Sequence, residues 1–235
     1  MAINIGQSTF NNPTPVYPYT SYSTSQGIQE HVQLAGADGF LYIEIAISGS
    51  WTVTSASWGT QALTFYDVHY ANNINIRHYR YYLTNPSVGR NSITVNFSGG
   101  YTTSFVWFAQ SFTNCGGIND SGWSNLSSSV HTDNPTVADG DLLYGSSVSQ
   151  RQIGRINMDG VDYNYPTMTA HSNVQAKQYA GQLSGPLTAG VTNVSFDSGS
   201  SFFKNTNSWV KFTEAGGEPP VGSAEGSWWL LMRLV

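Results

Sequence analysis

One cysteine, Cys115, stands in a chain of 235 residues. An intramolecular disulfide and a thiolate zinc cluster are therefore excluded, and in Asn114-Cys115-Gly116-Gly117 the residue reads as a small side chain in a turn. Charge is equally scarce: 10% of residues carry it, against about a quarter in an ordinary soluble domain. With a net charge of −5 and no basic cluster, no nucleic-acid partner is expected. No apolar run approaches the ~20 residues that cross a bilayer. The longest, near Leu41 to Ile47 and Trp228 to Val235, are strand-sized, so no membrane partner is expected either. The opening MAINIGQSTF lacks the basic flank and apolar core of a signal peptide, and synthesis and assembly in a cytoplasm are the expectation.

Catalytic signatures are missing as well. There is no GxSxG, P-loop or GxGxxG, and His31, His69, His78, His131 and His171 show no HxH or HExxH spacing for a metal. Asp67 lies near His69, and His78 near Arg77 and Arg80, a grouping that could hold a general base. Two residues apart beside a turn, Asp67 and His69 are expected to project to solvent. Asn157, Asp159, Gly160, Asp162 and Asn164 form an oxygen-rich stretch without the ligand spacing or terminal Glu of an EF-hand, which reads as an Asx-type turn. The 14 acids are scattered through turns and give no glycosidase pair. No catalytic residue, metal or cofactor is assigned, and no enzyme activity is expected.

The period that is present is two. Leu41, Ile43, Ile45 and Ile47 fall on one face, with Tyr42, Glu44 and Ala46 between them, as a half-buried strand requires. WTVTSASW, QALTFYDV, NINIRHYRYYL, SITVNFS and TTSFVWFAQSF follow, separated by Asn85-Pro86, Gly89 and Gly99-Gly100 as turn chemistry. After Asp139-Gly140-Asp141 come DLLYGSSVS, short segments around Met168 to His171 and Val174 to Tyr179, then VTNVSF, SWVKFTE and SWWLLMRLV. Ten to twelve short strands predict an all-β, two-sheet antiparallel β-sandwich, with a jelly roll as one variant, over residues 27–235. Residues 116–134 and 150–166 are expected to be long loops, the kind of segment that carries contacts.

Residues 1–26 differ in composition. Pro13, Pro15 and Pro18 alternate with Tyr17, Tyr19 and Tyr22, with no charge. The prolines oppose both helix and central strand, so an extended N-terminal arm is expected, with Phe10, Val16, Tyr17, Tyr19 and Tyr22 as its partner-binding side chains. Aromatics are in surplus throughout, with 14 Tyr, 11 Phe and 7 Trp. Most suit a sandwich core, while Trp123 and Tyr163, in the two expected loops, are candidates for contact with a ligand, since tyrosine and tryptophan favour sugar faces and protein interfaces.

The stretch YRYYLTNPSVGRNSITVNFSG, Tyr79 to Gly99, resembles a β-sandwich module of bacteriophage virion proteins that also occurs in bacterial surface proteins. Its marks are Tyr82-Leu83, Asn85-Pro86, Gly89, the strand Ile93 to Phe97 and the strand Phe105 to Phe112; Asp139 to Leu143 and Gly226 to Leu230 fit as well. The likeness runs over about residues 27–235 in the order of strands and turns, not in functional residues. It implies a virion structural protein, a capsid decoration (cement) protein or a tail or fibre subunit, held through the arm to other virion proteins. Homo-oligomerisation, with a trimer as one form, is implied with it. The alternative is a carbohydrate- or receptor-binding module at a fibre tip or on a surface adhesin, meeting a host-surface glycan through Trp123 and Tyr163.

Overall fold

The computed structural model describes residues 2–11, 26–48, 51–71, 74–98, 105–126, 130–149, 155–158, 160–164, 170–174, 177–197 and 205–216. Among them are twenty strands and no helix. The first nine are β1 (Asn4–Asn11), β2 (Gln26–Gln33), β3 (Phe40–Ser48), β4 (Thr52–Trp58), β5 (Gln61–Ala62), β6 (Thr64–Ala71), β7 (Ile76–Thr84), β8 (Gly89–Ser98) and β9 (Phe105–Thr113). Then come β10 (Cys115–Leu126), β11 (Val130–Asp133), β12 (Thr136–Val137), β13 (Leu142–Ser149), β14 (Arg155–Met158) and β15 (Val161–Asn164). The chain continues with β16 (Ala170–Val174), β17 (Lys177–Ser184), β18 (Gly190–Val191), β19 (Val194–Asp197) and β20 (Asn205–Glu214).

The expected antiparallel sandwich is present twice. In the first half a sheet β1-β9-β3-β7-β6 accompanies a sheet β2-β8-β4-β5, and in the second β10-β20-β13-β17-β16 accompanies β11-β19-β14-β15. Matching β1 to β10, β3 to β13, β7 to β17 and β9 to β20 superimposes one strand order on the other. Each half has the two-sheet order of a jelly roll, with β6 and β16 added at one edge. The second half also carries a small ribbon, β12 with β18, that has no counterpart among the described residues of the first.

Three cores lie between four layers. Leu41, Ile43, Ile45 and Ile47 of β3 meet Trp58, Ile93 and Val95 of the neighbouring sheet. Phe40, Tyr42 and Ala46, on the opposite face of the same strand, pack with Tyr144, Val148, Val210 and Phe212 of the second half. Leu143 and Trp209 then face Ile156, Met158 and Phe196 in the outermost layer. β3 is thus buried on both faces rather than one, and every residue of β9 is buried. Alternation shows that a strand has an apolar face; an unbroken apolar run such as FVWFA, Phe105 to Ala109, marks one covered on both.

The duplication leaves a trace in the sequence at a spacing of about 100. Leu83-Thr84-Asn85-Pro86 recurs as Leu183-Ser184-Gly185-Pro186, and Phe112-Thr113 followed by Gly116-Gly117 recurs as Phe212-Thr213 followed by Gly216-Gly217. Ala37-Asp38-Gly39 recurs as Ala138-Asp139-Gly140, each ahead of a Leu-Tyr strand. Equivalent residues also meet across the middle core, where Tyr42 packs edge-on to Tyr144 and Phe112 lies 4.7 Å from Phe212.

The N-terminal extension differs from the expectation along part of its length. Residues Asn4–Asn11 are an edge strand paired with β9, Phe10 standing opposite Phe108. Ile3 and Thr9 are buried, the Thr9 hydroxyl lies 2.7 Å from His31 Nδ1, and Gln110 Nε2 donates to the Gly6 and Gln7 carbonyls. The prolines begin only at Pro13, so nothing in residues 4–11 opposes a strand. Val16, Tyr17, Tyr19 and Tyr22 lie outside the described residues, as do Gly226 to Leu230.

Candidate functional site

The strongest concentration of polar chemistry is at the junction of the two halves, where β3, β6 and β7 face β10, β13, β17 and β20. Glu44 sits on the face of β3 that also carries Tyr42 and Ala46, because side chains alternate along a strand. Its neighbours on β7, His78 and Arg80, are likewise without solvent exposure. Arg80 Nε lies 3.6 Å from Glu44 Oε2 and His78 Nδ1 3.5 Å from Oε1. The Tyr42 hydroxyl donates to Oε2 at 2.9 Å, and from the second half Ser146 donates to Oε1 and Ser208 to Oε2 at 3.3 Å. Tyr179 approaches Oε1 at 3.4 Å and bonds Tyr144 at 2.5 Å.

Arg80 extends this cluster toward the edge. Its Nη1 donates to Asp67 Oδ2 at 3.2 Å, and its Nη2 reaches the carbonyls of Gly122 and Trp209 at 3.4 and 3.5 Å. The guanidinium lies 3.6 Å over the Trp123 ring, a cation–π contact. Trp123 Nε1 donates to the same Asp67 oxygen at 2.9 Å, and His69 stacks on the indole with centroids 4.9 Å apart.

Two expectations are corrected here. Asp67 and His69 do not project to solvent: a bulge between Phe65 and Asp67 turns Asp67 inward, onto Arg80 and Trp123. Trp123 does not stand in a loop, since the expected loop 116–134 is largely β10 and β11; its ring is held between His69, Arg80 and His78. Tyr163 is also on a strand, β15, packed against the outer core with its hydroxyl 3.4 Å from Ser184 Oγ. Both rings are half-buried against neighbouring side chains. The stretch around Asn157 is a hairpin, in which Asp162 accepts from Asn157 Nδ2 at 2.7 Å and from Arg155 at 3.1 Å; Asp159 lies outside the described residues. Alternation assigns Glu44 to the polar face of its strand and so conceals its burial. A lone carboxylate inside the apolar run FLYIEIAIS was the available signal.

Burial alone would raise the Glu44 carboxyl, but the close approach of His78, the charge of Arg80 and the Ser146 hydroxyl outweigh it and hold the group at about 2. Glu44 is therefore ionised at any ordinary pH. Burial pushes the hydroxyls of Tyr42, Tyr144 and Tyr179 well above the usual phenol range, with the Glu44 charge adding to each. It also lifts the Cys115 thiol to about 12, which makes that cysteine unreactive. An ion pair so buried returns little net stability against an apolar replacement. What it provides is register, because the carboxylate is satisfied only when donors from both halves stand in place. Among the described residues no group of three or more His, Cys, Asp or Glu is placed to hold a metal ion.

Fold and junction together define an all-β protein of tandem jelly rolls, joined face to face through a buried carboxylate. No protein-family model matches the chain, and no curated protein does. Among solved structures, the crystal structure of the major capsid protein P2 from Bacteriophage PM2 aligns over 88% of this chain and 97% of that one, at 7% identity and a TM-score of 0.29. A superposition this loose carries no weight for fold or function.

Proposed function

We propose that the chain is a non-enzymatic structural subunit of a bacteriophage particle, placed in a capsid layer, as shell or decoration, rather than in a tail or fibre. The observation that carries the reading is the rim of the first half. β6 is an edge strand, and it exposes Phe65, Tyr66, Val68 and Tyr70 in succession, Phe65 to 50% and Val68 to 47%. A bulge and the inward Asp67 guard this edge in part, as edge strands commonly are, yet its aromatic and aliphatic side chains stay exposed, and exposed apolar groups gathered on an otherwise polar surface mark an assembly contact. The jelly roll is a recurrent build of viral shells, although lectins and cupins share it. A four-layer block with an apolar rim suits side-by-side tiling into a closed symmetric array. In this reading other virion proteins and further copies of the chain are the partners, and Val16, Tyr17, Tyr19 and Tyr22 extend the contact surface from the N-terminal segment. The polar junction fits a non-catalytic role, since Glu44 and Arg80 are sealed from any substrate.

Purified particles test this by mass spectrometry and a density map. The chain should be present at stoichiometric copy number, with β6 against a neighbour. A Phe65→Asp, Val68→Lys double variant should fold and stay out of particles. Absence of the chain from particles, or normal incorporation of that variant, would overturn the proposal.

A further inference from the structure

A polar cavity of about 740 Å³ opens in the second half, lined by none of the exposed β6 side chains. Its floor is Trp209, Lys211 and Thr213 of β20, one wall is Asn119 and Asp120 of β10, and the other is the connection from Asp133 to Asp141. The volume lies within the range of small-ligand sites, roughly 300–1,000 Å³.

The duplication supplies an internal control. In the first half the corresponding connection, Leu34 to Gly39, lies flat on its sheet: a Cβ added at Gly36 would stand 2.8 Å from Thr113, and the Ser111 hydroxyl donates to the Val32 carbonyl at 3.1 Å. In the second half β12 is inserted into that connection and paired with β18, and Thr192 N, just after β18, donates to the Pro135 carbonyl at 3.0 Å. The connection is fixed away from the floor, and the space between them is the cavity. Asp141 Oδ2 accepts from Ala138 N at 2.8 Å, so the wall is braced.

The lining alternates acceptors and donors. Lys211 is only 9% exposed, and its ammonium donates to the Thr136 carbonyl at 2.8 Å, leaving two N–H groups without a partner among the described residues. Asp133 Oδ2 receives Trp209 Nε1 at 3.1 Å and lies 2.9 Å from His131 Nε2, which leaves its Oδ1 to the cavity. Asn134 accepts from Asn193 through Oδ1 at 3.3 Å, and its amide hydrogens remain. A cation would meet the buried ammonium; an anion would meet Asp120, Asp133 and Asp141. A ligand whose groups each donate and accept satisfies both kinds of wall, and hydroxyls do this.

We propose that this cavity binds a neutral saccharide of one to three rings, its hydroxyls donating to Asp133 and Asp141 and accepting from Lys211 and Asn134. The site is separate from Trp123 and Tyr163 and does not depend on the place of the chain in a particle.

The test uses the full chain with a panel of neutral mono- to trisaccharides built from glucose, galactose, mannose and N-acetylglucosamine, titrated by calorimetry and saturation-transfer NMR to about 5 mM, the scale of weak affinities. At least one sugar should bind. Ala138→Trp, at an exposed position on the mouth, should weaken it at least tenfold with an unchanged melting temperature, and Lys211→Met should do the same. Ala138→Trp decides the matter if Lys211→Met does not fold. No binding by any panel member, binding indifferent to Ala138→Trp, or binding of arginine methyl ester in place of sugars would each overturn the proposal.

Discussion

Replacing Glu44 by Gln keeps the volume of the side chain and removes its charge. Arg80 and His78 then lie in the sealed junction without the carboxylate that faces them, and Ser146 and Ser208 lose a charged acceptor. Two routes give the cost. Breaking one side of a buried pair typically costs 3–5 kcal/mol, or about 4. Independently, a carboxyl held at about 2 against an ordinary value of 4.5 contributes about 3 kcal/mol, at roughly 1.4 kcal/mol per unit. The sign follows from the lowered value: this stabilisation is complete above pH ~4.5 and is lost as pH falls to ~2. Urea unfolding at pH 7 should place the Glu44→Gln midpoint about 1 M lower, for a slope near 3 kcal/mol/M. The double variant Glu44→Gln, Arg80→Met should recover part of the loss, because the orphaned cation is gone. A midpoint within about 0.2 M of the unaltered chain would show that the carboxylate does not hold the halves together, and the junction would then be ordinary packing.

Other expectations are more local. Burial lowers the His31 imidazole to about 4, so the unfolded chain takes up the proton first; stability should fall by about 3 kcal/mol as pH drops from ~6.5 to ~4, and His31→Leu should remove that step from a plot of melting temperature against pH. Gly181 lies under the Tyr144 hydroxyl with no room for a Cβ, so Gly181→Ala should displace that ring from Tyr179 and lower stability by about 1–3 kcal/mol, read by urea unfolding. Trp123→Phe removes a donor to Asp67 and weakens the contact with Arg80, a loss of about 1–2 kcal/mol that should leave sugar titrations unchanged. Deleting residues 2–11 takes away a paired strand and should lower the melting temperature clearly; an unchanged value would return that segment to a free arm.

The β class and antiparallel pairing were legible in the alternation of Leu41, Ile43, Ile45 and Ile47. The layering was not, because Tyr42, Glu44 and Ala46 look like a solvent face until a second sheet is known to cover them. The strands β10, β11, β14 and β15 look like loops in the sequence for a related reason. Gly and Ser weaken strand propensity, yet Gly122 is required where Trp209 closes on β10, an added Cβ there standing 2.5 Å from the indole nitrogen. The two-fold build was written in Pro86 and Pro186 and in Phe112 and Phe212, at a period longer than any single element and so invisible to a strand-by-strand reading. The inward turn of Asp67 depends on a bulge, which alternation does not encode.

Glu44 and Ser146 occupy matching places in the two halves, each two residues after the Tyr of a Leu-Tyr pair, and they hydrogen-bond to each other. Two identical chains meeting through this face would set carboxylate against carboxylate, or hydroxyl against hydroxyl. A single chain holding both halves frees them to differ, so one contributes the charge and the other the donor. The peptide link thereby permits a complementary pair that a symmetric dimer of either half could not make, and it ties each half to the other as its specific mate.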